Sequence, residues 1–307
     1  MSRRGNSRLS DETESFFRGI LEKHPERLRE ATVNTEFISD TRRLKFSSPP
    51  VEYKQPAQVR IVNGDTIDVA FQLQQEGLNP LVLNMASAYK PGGGWRKGSR
   101  AQEESLFYRS TYAVSLENCM DLDEKRSWSY PVPIFGAIYS PDVFVFRGNA
   151  NQGYPVYPWE QCTWMNFVAV AALRKPRLTH NRRLKQKDVN IMMMKIESIF
   201  KIALLKGHDS VVLGALGCGA YGNPPEDIAM IFREAIDAYL PFFRRITFAI
   251  LDDHNTKKRH NPRGNLRVFR EVLSDLVEKT KKRIESLPDV PNEEKKSENS
   301  DHERQKS

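Results

Sequence analysis

The sequence predicts an α/β protein: a three-layer α/β/α domain built on a mixed β-sheet, with an N-terminal helical attachment. Three observations predict it. Short apolar runs bounded by Gly, Pro, Asn or Asp recur from residue 56 to 275, with helically spaced segments between or after them, the alternation of a βαβ chain. Two of these runs lead into glycine loops, as strands do where an α/β sheet receives a ligand. The chain ends, by contrast, are charged and poor in aromatic residues, so they offer little apolar surface to a core.

Taken in order, residues 1–12 read as a disordered tail. Residues 13–55 read as the helical attachment and its linker: "ESFFRGILEKHPERLREATVNTEFISDTRRL" suits two or three short amphipathic helices interrupted at Pro25, and "SSPPVEYKQPA" breaks the pattern with prolines. Residues 56–283 form the main domain. Its strands are expected at "VRIVNGD", "PLVLNMA", "AIYSP", "VFVFRG", "SVVLGALG" and "ITFAILD", and its helices at 66–76, 100–117, 189–206, 226–240 and 265–283. Residues 284–307 read as a second disordered tail.

The 307 residues carry a formal net charge of +8, which favours polyanionic partners such as nucleic acid or phosphorylated ligands. Part of that excess is local. "KPRLTHNRRLKQK" at 175–187 contains no acid, and reads either as a solvated loop or as a polyanion contact. Cys119, Cys162 and Cys218 have no ligand-like spacing, which fits a reducing intracellular compartment. No signal core opens the chain, and no stretch approaches the roughly 18 apolar residues of a membrane span, so a soluble protein is expected. Basic clusters at 257–259 and 279–283 fit residence in the nucleus as well as the cytoplasm.

Chemistry concentrates at the two strand-to-glycine junctions. In "LVLNMASAYKPGGG" a polar strand end, Asn84, precedes Gly92, Gly93 and Gly94. In "VVLGALGCGAYGNPPEDIA" Gly217, Gly219 and Gly222 precede a helix start that Asn223 can cap, with Glu226 and Asp227 favouring its dipole. Glycine loops at strand ends expose amides to an anion without an intervening Cβ, so both are candidate phosphate cradles. The second also matches GxGxxG, which admits a dinucleotide-dependent oxidoreductase. However, its candidate ribose acid, Asp252, lies 30 residues past Gly222 instead of about 20. A phosphate-binding lysine loop fails at the first junction, because Ser99 stands where the lysine belongs.

After the first glycines comes Gln102-Glu103-Glu104. The Ser99/Gln102 spacing suits a capping box, which would put both acids in a second helical turn as simple helix-start residues. The alternative is an acid pair for cleaving a glycosidic bond, where a carboxyl protonates the leaving oxygen as an oxocarbenium-like cation develops. No His or Asp joins them locally, so no metal or other cofactor is expected.

"GGGWRKGSRAQEE" resembles the glycine-triplet and QEE signature of the poly(ADP-ribose) glycohydrolases. "LVLNMASAYKPGGG", "IYSPDVFVFR", "VLGALGCGAYGN" and "FAILD" resemble the microbial branch of that family, which also occurs in fungi. The resemblance implies a macrodomain that binds ADP-ribose, releases it from poly(ADP-ribose), reverses ADP-ribosylation and serves the DNA damage response. It implies Glu104 as general acid and then activator of water, Glu103 as acceptor from distal-ribose hydroxyls, and Gln102 as a loop anchor. Gly92, Gly93, Gly94, Gly217, Cys218 and Gly219 would offer amides to the diphosphate, within a loop continuing through Ala220, Gly222 and Asn223. Asn84 would touch the distal ribose and Asp65 would read adenine. Tyr221 stands where the branch usually has Phe, which adds a hydroxyl beside the reacting sugar. The N-terminal helices would close the far ribose end, restricting attack to chain ends. The expected partners are ADP-ribose and its polymer on modified proteins, with no membrane, no sequence-specific nucleic acid and a monomeric state. An ADP-ribose reader without turnover and a mono-ADP-ribosyl hydrolase are the other readings.

Overall fold

The computed structural model describes residues 3–252 and 261–285. Its strands are β1 (Glu36–Ile38), β2 (Gln58–Val62), β3 (Pro80–Met85), β4 (Ala137–Val145), β5 (Thr163–Val170), β6 (Ser210–Leu213) and β7 (Arg245–Ala249). Its helices are α1 (Arg3–Lys23), α2 (Pro25–Val33), α3 (Thr66–Gln75), α4 (Gln102–Arg109), α5 (Tyr112–Glu117), α6 (Gln186–Leu205), α7 (Pro225–Tyr239), α8 (Asn265–Val272) and α9 (Ser274–Glu285). The strands form one mixed sheet in the order β1-β4-β5-β3-β6-β7-β2, parallel from β5 to β2 and antiparallel at the two β4 pairings.

Strand alternation produces the three layers. Leu81, Leu83, Val211, Leu213, Ile246 and Phe248 face one core with α6, α7 and α8, whereas Val82, Val212, Phe167 and Ala169 face a second core with α1 to α5. Because residues i and i+2 share a face, an apolar run in a central strand supplies both cores at once. At the outer edge of β2, which its pairing with β7 leaves open, the Val59 amide donates to the Thr280 hydroxyl of α9 at 3.2 Å, so α9 covers that edge.

The macrodomain-like layering matches the expected fold class, with local differences. "AIYSP" and "VFVFRG" form a single strand, β4, with a register shift between Ser140 and Val143. Strand β5, "TWMNFVAV", was absent from the expected set because Asn166 interrupts its apolar run. That asparagine serves the irregularity, accepting from the Asp142 amide at 3.1 Å. The expected helix 100–117 breaks at Ser110, whose extended backbone bridges to Val145.

The N-terminal segment also differs. Helix α1 begins at Arg3 and enters the stretch expected as a tail, because Leu9, Thr13, Phe17 and Ile20 recur at helical spacing and are all buried. The break at Pro25 falls where expected, at the start of α2. Residues 36–38 then pair with β4 as an edge strand, so this segment is built into the sheet as well as carried beside it. Most of the tail expected at 284–307, and the basic cluster at 257–259, lie outside the described residues. Among the described residues, no helix is long and apolar enough to cross a membrane.

Candidate functional site

The parallel strands direct their carboxyl ends to one edge of the sheet, which is where an open α/β sheet places its ligand crevice. A cleft of about 910 Å³ lies there, lined by segments following β2, β3, β5, β6 and β7 and by the start of α4. Of the residues singled out from the sequence, Asp65, Gly93, Gln102, Glu103, Glu104, Gly217, Gly219, Ala220, Tyr221 and Asp252 line it.

The QEE segment opens α4, but Ser99 does not cap it. Ala101 is the N-cap residue, and the Glu104 carboxylate reaches back to accept from the Ala101 amide at 2.9 Å. Both acids therefore sit in the first turn, where negative charge is favoured by the helix dipole. The other Glu104 oxygen, Oε1, accepts from the Gly94 amide at 2.8 Å. Glu103 Oε2 accepts from the Ser87 amide at 2.8 Å, while its Oε1 is buried without a hydrogen-bond partner. Burial pushes the Glu103 carboxyl up to about 8; the Ser87 amide opposes that rise and the nearby Glu104 charge adds to it.

Gly93 explains why glycine stands between these acids and the cleft. A Cβ there would lie 2.6 Å from Glu104 Oε1 and 3.0 Å from Glu103 Oε2, and φ is +55°. The two carboxyls thus converge on the space that a side chain would fill. The same geometry corrects the diphosphate assignment for this triplet. Gly94 donates to Glu104, and Gly93 donates to the Lys90 carbonyl at 3.4 Å, so these amides serve the loop and its acids. Gly92 and Gly94 do not line the cleft: Gly92 faces Trp95 and Phe107, and Gly94 faces Ser99.

Gln102 anchors the acid pair. Its Nε2 donates to the Leu83 carbonyl at 2.8 Å and to Thr66 Oγ1 at 3.2 Å, and its Oε1 accepts from the Met85 amide at 3.0 Å. One amide side chain therefore fixes α4 against the end of β3 and the start of α3. Asn84 is fully buried behind the cleft wall, with its Nδ2 3.5 Å from the Tyr112 hydroxyl, and its proximity to Glu103 favours that residue's charged form. The residue expected to touch the distal ribose is thus buried and does not line the cleft. Asp65 caps α3 through the Ile67 and Asp68 amides and pairs with the buried guanidinium of Arg109 at 2.5 Å. Arg109 also holds Asp68 at 2.6 Å, so the far end of α4 is tied to the helix that borders the cleft.

At the second junction, Asn223 closes the loop instead of capping α7. Its Nδ2 donates to the Leu173 carbonyl at 2.7 Å and to the Gly217 carbonyl at 3.1 Å, and Pro224 occupies the N-cap position. Gly217 takes φ +75°, where a Cβ would also meet Asn223 Nδ2 at 2.6 Å. Cys218 is fully buried, and burial raises its thiol well above the ordinary range, so only its backbone is available to a ligand. Gly222 supplies a positive-φ turn outside the cleft lining. The Tyr221 hydroxyl meets Ser87, the residue whose amide holds Glu103. Asp252 caps α8 through the Asn265 amide at 2.8 Å, which gives it a structural task apart from the ribose role of a dinucleotide motif.

Several lining residues had no distinct sequence signal: Tyr89, Lys90, Arg100, Asn151, Tyr154 and Arg174 reach the cleft from loops. Arg174 adjoins the basic stretch, and its guanidinium lies 5.6 Å from the Tyr89 ring centre. Helices α1 and α2 contribute nothing to the lining. Thr13 donates to the Tyr108 carbonyl at 3.0 Å and Glu14 pairs with Arg96, so α1 buttresses the acid-bearing segment from behind. The expected closure of the far ribose end by these helices has no counterpart in the cleft lining. Among the described residues, no three His, Cys, Asp or Glu side chains group as metal ligands.

Residues 20–148 match the family model described as microbial-type PARG, catalytic domain. The chain is similar to the poly(ADP-ribose) glycohydrolase of Thermomonospora curvata, with a TM-score of 0.68 and 22% identity over 88% of this chain and 99% of that one. The same protein bound to the inhibitor ADP-HPD gives a TM-score of 0.63. The poly(ADP-ribose) glycohydrolase of Deinococcus radiodurans in complex with ADP-ribose is 26% identical, with a TM-score of 0.58 over 83% of this chain and 92% of that one. No curated protein matches the chain.

Proposed function

We propose that this protein is a poly(ADP-ribose) glycohydrolase, which hydrolyses the ribose–ribose bond and releases ADP-ribose. One observation carries the reading: the carboxyls of adjacent Glu103 and Glu104 crowd together against Gly93, where no side chain fits, and both line a cleft that also receives the 217–221 loop. The match of residues 20–148 to the PARG catalytic-domain model and the 26% identical ADP-ribose complex support it.

Glycosidic cleavage needs a proton on the leaving oxygen and negative charge near the developing sugar cation. An acid pair that retains one proton at neutral pH meets both needs, and the raised Glu103 carboxyl is where burial keeps that proton. In the proposed reaction the distal-ribose hydroxyls satisfy the unpartnered Glu103 Oε1 and relay its proton to Glu104. Glu104 protonates the leaving oxygen as the bond to the anomeric carbon breaks. Its carboxylate then removes a proton from the incoming water, whose oxygen bonds to that carbon. Amides of the 217–221 loop receive the diphosphate, and the adenosine lies toward Asp65.

The test is quantitation of free ADP-ribose from defined polymer and from mono-modified protein, using wild type and Glu104→Gln. Loss of the general acid lowers release by about 10²–10⁴-fold while ADP-ribose binding survives. Undiminished turnover of Glu104→Gln removes the assignment. Binding by wild type without release from either substrate leaves an ADP-ribose reader instead.

A further inference from the structure

We propose that the basic segment 174–187, the loop after β5 together with the first residues of α6, is a docking track for poly(ADP-ribose), holding the diphosphate of the unit next to the one in the cleft. This rests on the poly(ADP-ribose) reading above and names a second part of the chain that contacts the polymer.

Position is the first argument. The bond to be cut lies at the acid pair, so the rest of the polymer leaves the cleft at that end. Tyr221 stands there through Ser87, which holds Glu103, and Arg174 and Tyr89 stand at the rim. The basic loop starts at that rim. Its Lys175 amide donates to the Tyr221 carbonyl at 2.7 Å, and its preceding residue, Leu173, accepts from Asn223 at 2.7 Å.

The second argument is order. A merely solvated charge run has no reason to be pinned, yet this one is held at several points. Thr179 Oγ1 and the Arg183 amide bond at 3.1 Å, Arg183 pairs with Asp227 at 2.5 Å, and the Leu184 amide donates to Asp227 at 2.6 Å. Leu184 is buried, so the loop is fastened to the domain while Lys175, Arg177, Lys185 and Lys187 remain exposed.

Charge is the third. No acid lies between residues 174 and 187, so apart from Arg183, which Asp227 neutralises, the segment that begins at the cleft rim carries one sign of charge. A polymer with two phosphates per unit is the complement of that stripe. The exposed Tyr89 ring and the planar Arg174 cation also offer a base a stacking surface at the exit.

The test compares wild type with the triple variant Arg177→Gln/Lys185→Gln/Lys187→Gln, none of which lines the cleft. Dissociation constants are measured for defined-length poly(ADP-ribose), free ADP-ribose and single-stranded DNA of equal phosphate number. A control variant, Lys45→Gln/Lys54→Gln/Arg60→Gln, lowers the net charge equally at exposed positions elsewhere.

The expected result is polymer binding weakened about 5- to 10-fold in the loop variant, with ADP-ribose binding unchanged and the control like wild type. The slope of log affinity against log salt falls by about 2, the release expected from three phosphate contacts on a single strand. Unchanged polymer affinity overturns the proposal. So does an equal loss for free ADP-ribose, an equal loss in the control variant, or DNA binding as tight as polymer and falling in parallel. Hydrolysis is scored separately. A protein that releases no ADP-ribose but whose polymer affinity falls in the loop variant refutes the reaction and keeps the track; an active protein indifferent to the loop variant does the reverse.

Discussion

The two strand-to-glycine junctions look alike in sequence and are used in opposite ways. After β3, glycine provides room for two carboxyls at Gly93, and the Gly93 and Gly94 amides are consumed within the loop. After β6, the loop is closed from behind by Asn223, while Gly217, Gly219, Ala220 and Tyr221 line the cleft. The first junction thus builds an acid pair, and the second forms a ligand-facing wall. Glycine after a strand signals close approach; what approaches is set by side chains far away in the chain.

The sharpest way to break that contrast is Gly93→Ala. Its methyl would strike both carboxyls, and a displacement of about 1 Å in reacting groups typically costs about 10²-fold in rate. Release of ADP-ribose should fall by at least about 100-fold, measured at saturating polymer, with the 217–221 loop unaltered. Retained turnover would show that the acids tolerate a side chain between them.

A next test addresses the charge stored at the first junction. The folded Glu103 carboxyl is raised from 4.5 to about 8, so its contribution to stability is complete below 4.5 and is lost as pH rises toward 8. Glu103→Gln removes that titration. The variant should gain on wild type between those limits, by on the order of 2–4 kcal/mol above pH 8, read from denaturant unfolding at a series of pH values. A constant difference across pH would place the titrating group elsewhere.

The smallest expected effect is at the second junction. Asn223→Ala leaves the Leu173 and Gly217 carbonyls without their side-chain donor and should cost about 1–3 kcal/mol. ADP-ribose affinity should weaken while the pH dependence of the acid pair stays as in wild type. A shift in that pH dependence would mean that the two junctions are coupled and not separate.

Much of the layer pattern was legible because it is periodic. Alternating apolar residues in β3 and β6 feed two cores, and α6 and α7 carry helical spacing that any local reading recovers. The helix starting at Gln102 was also legible, but its cap was not. Ser99 has the right spacing, yet Glu104 itself satisfies the Ala101 amide, a choice fixed by where the loop folds. Strand β5 was missed because Asn166 looks like a break until the β4 irregularity it serves is in view. The buttress from α1 was hidden for a similar reason: Thr13 meets Tyr108, 95 positions further along the chain.

The sequence by itself therefore determined most of the alternation of strands and helices, the two glycine junctions and the neighbouring acids, because each depends on local spacing. Tertiary structure alone decided that the acids face one another's space at Gly93, that Asn84 stands behind them, and that Arg174 and Tyr89 share the cleft's rim. The physical reason is that burial and hydrogen-bond direction arise from segments brought together by the sheet. A carboxyl raised to about 8 is a property of that assembled surrounding and of no single stretch of chain.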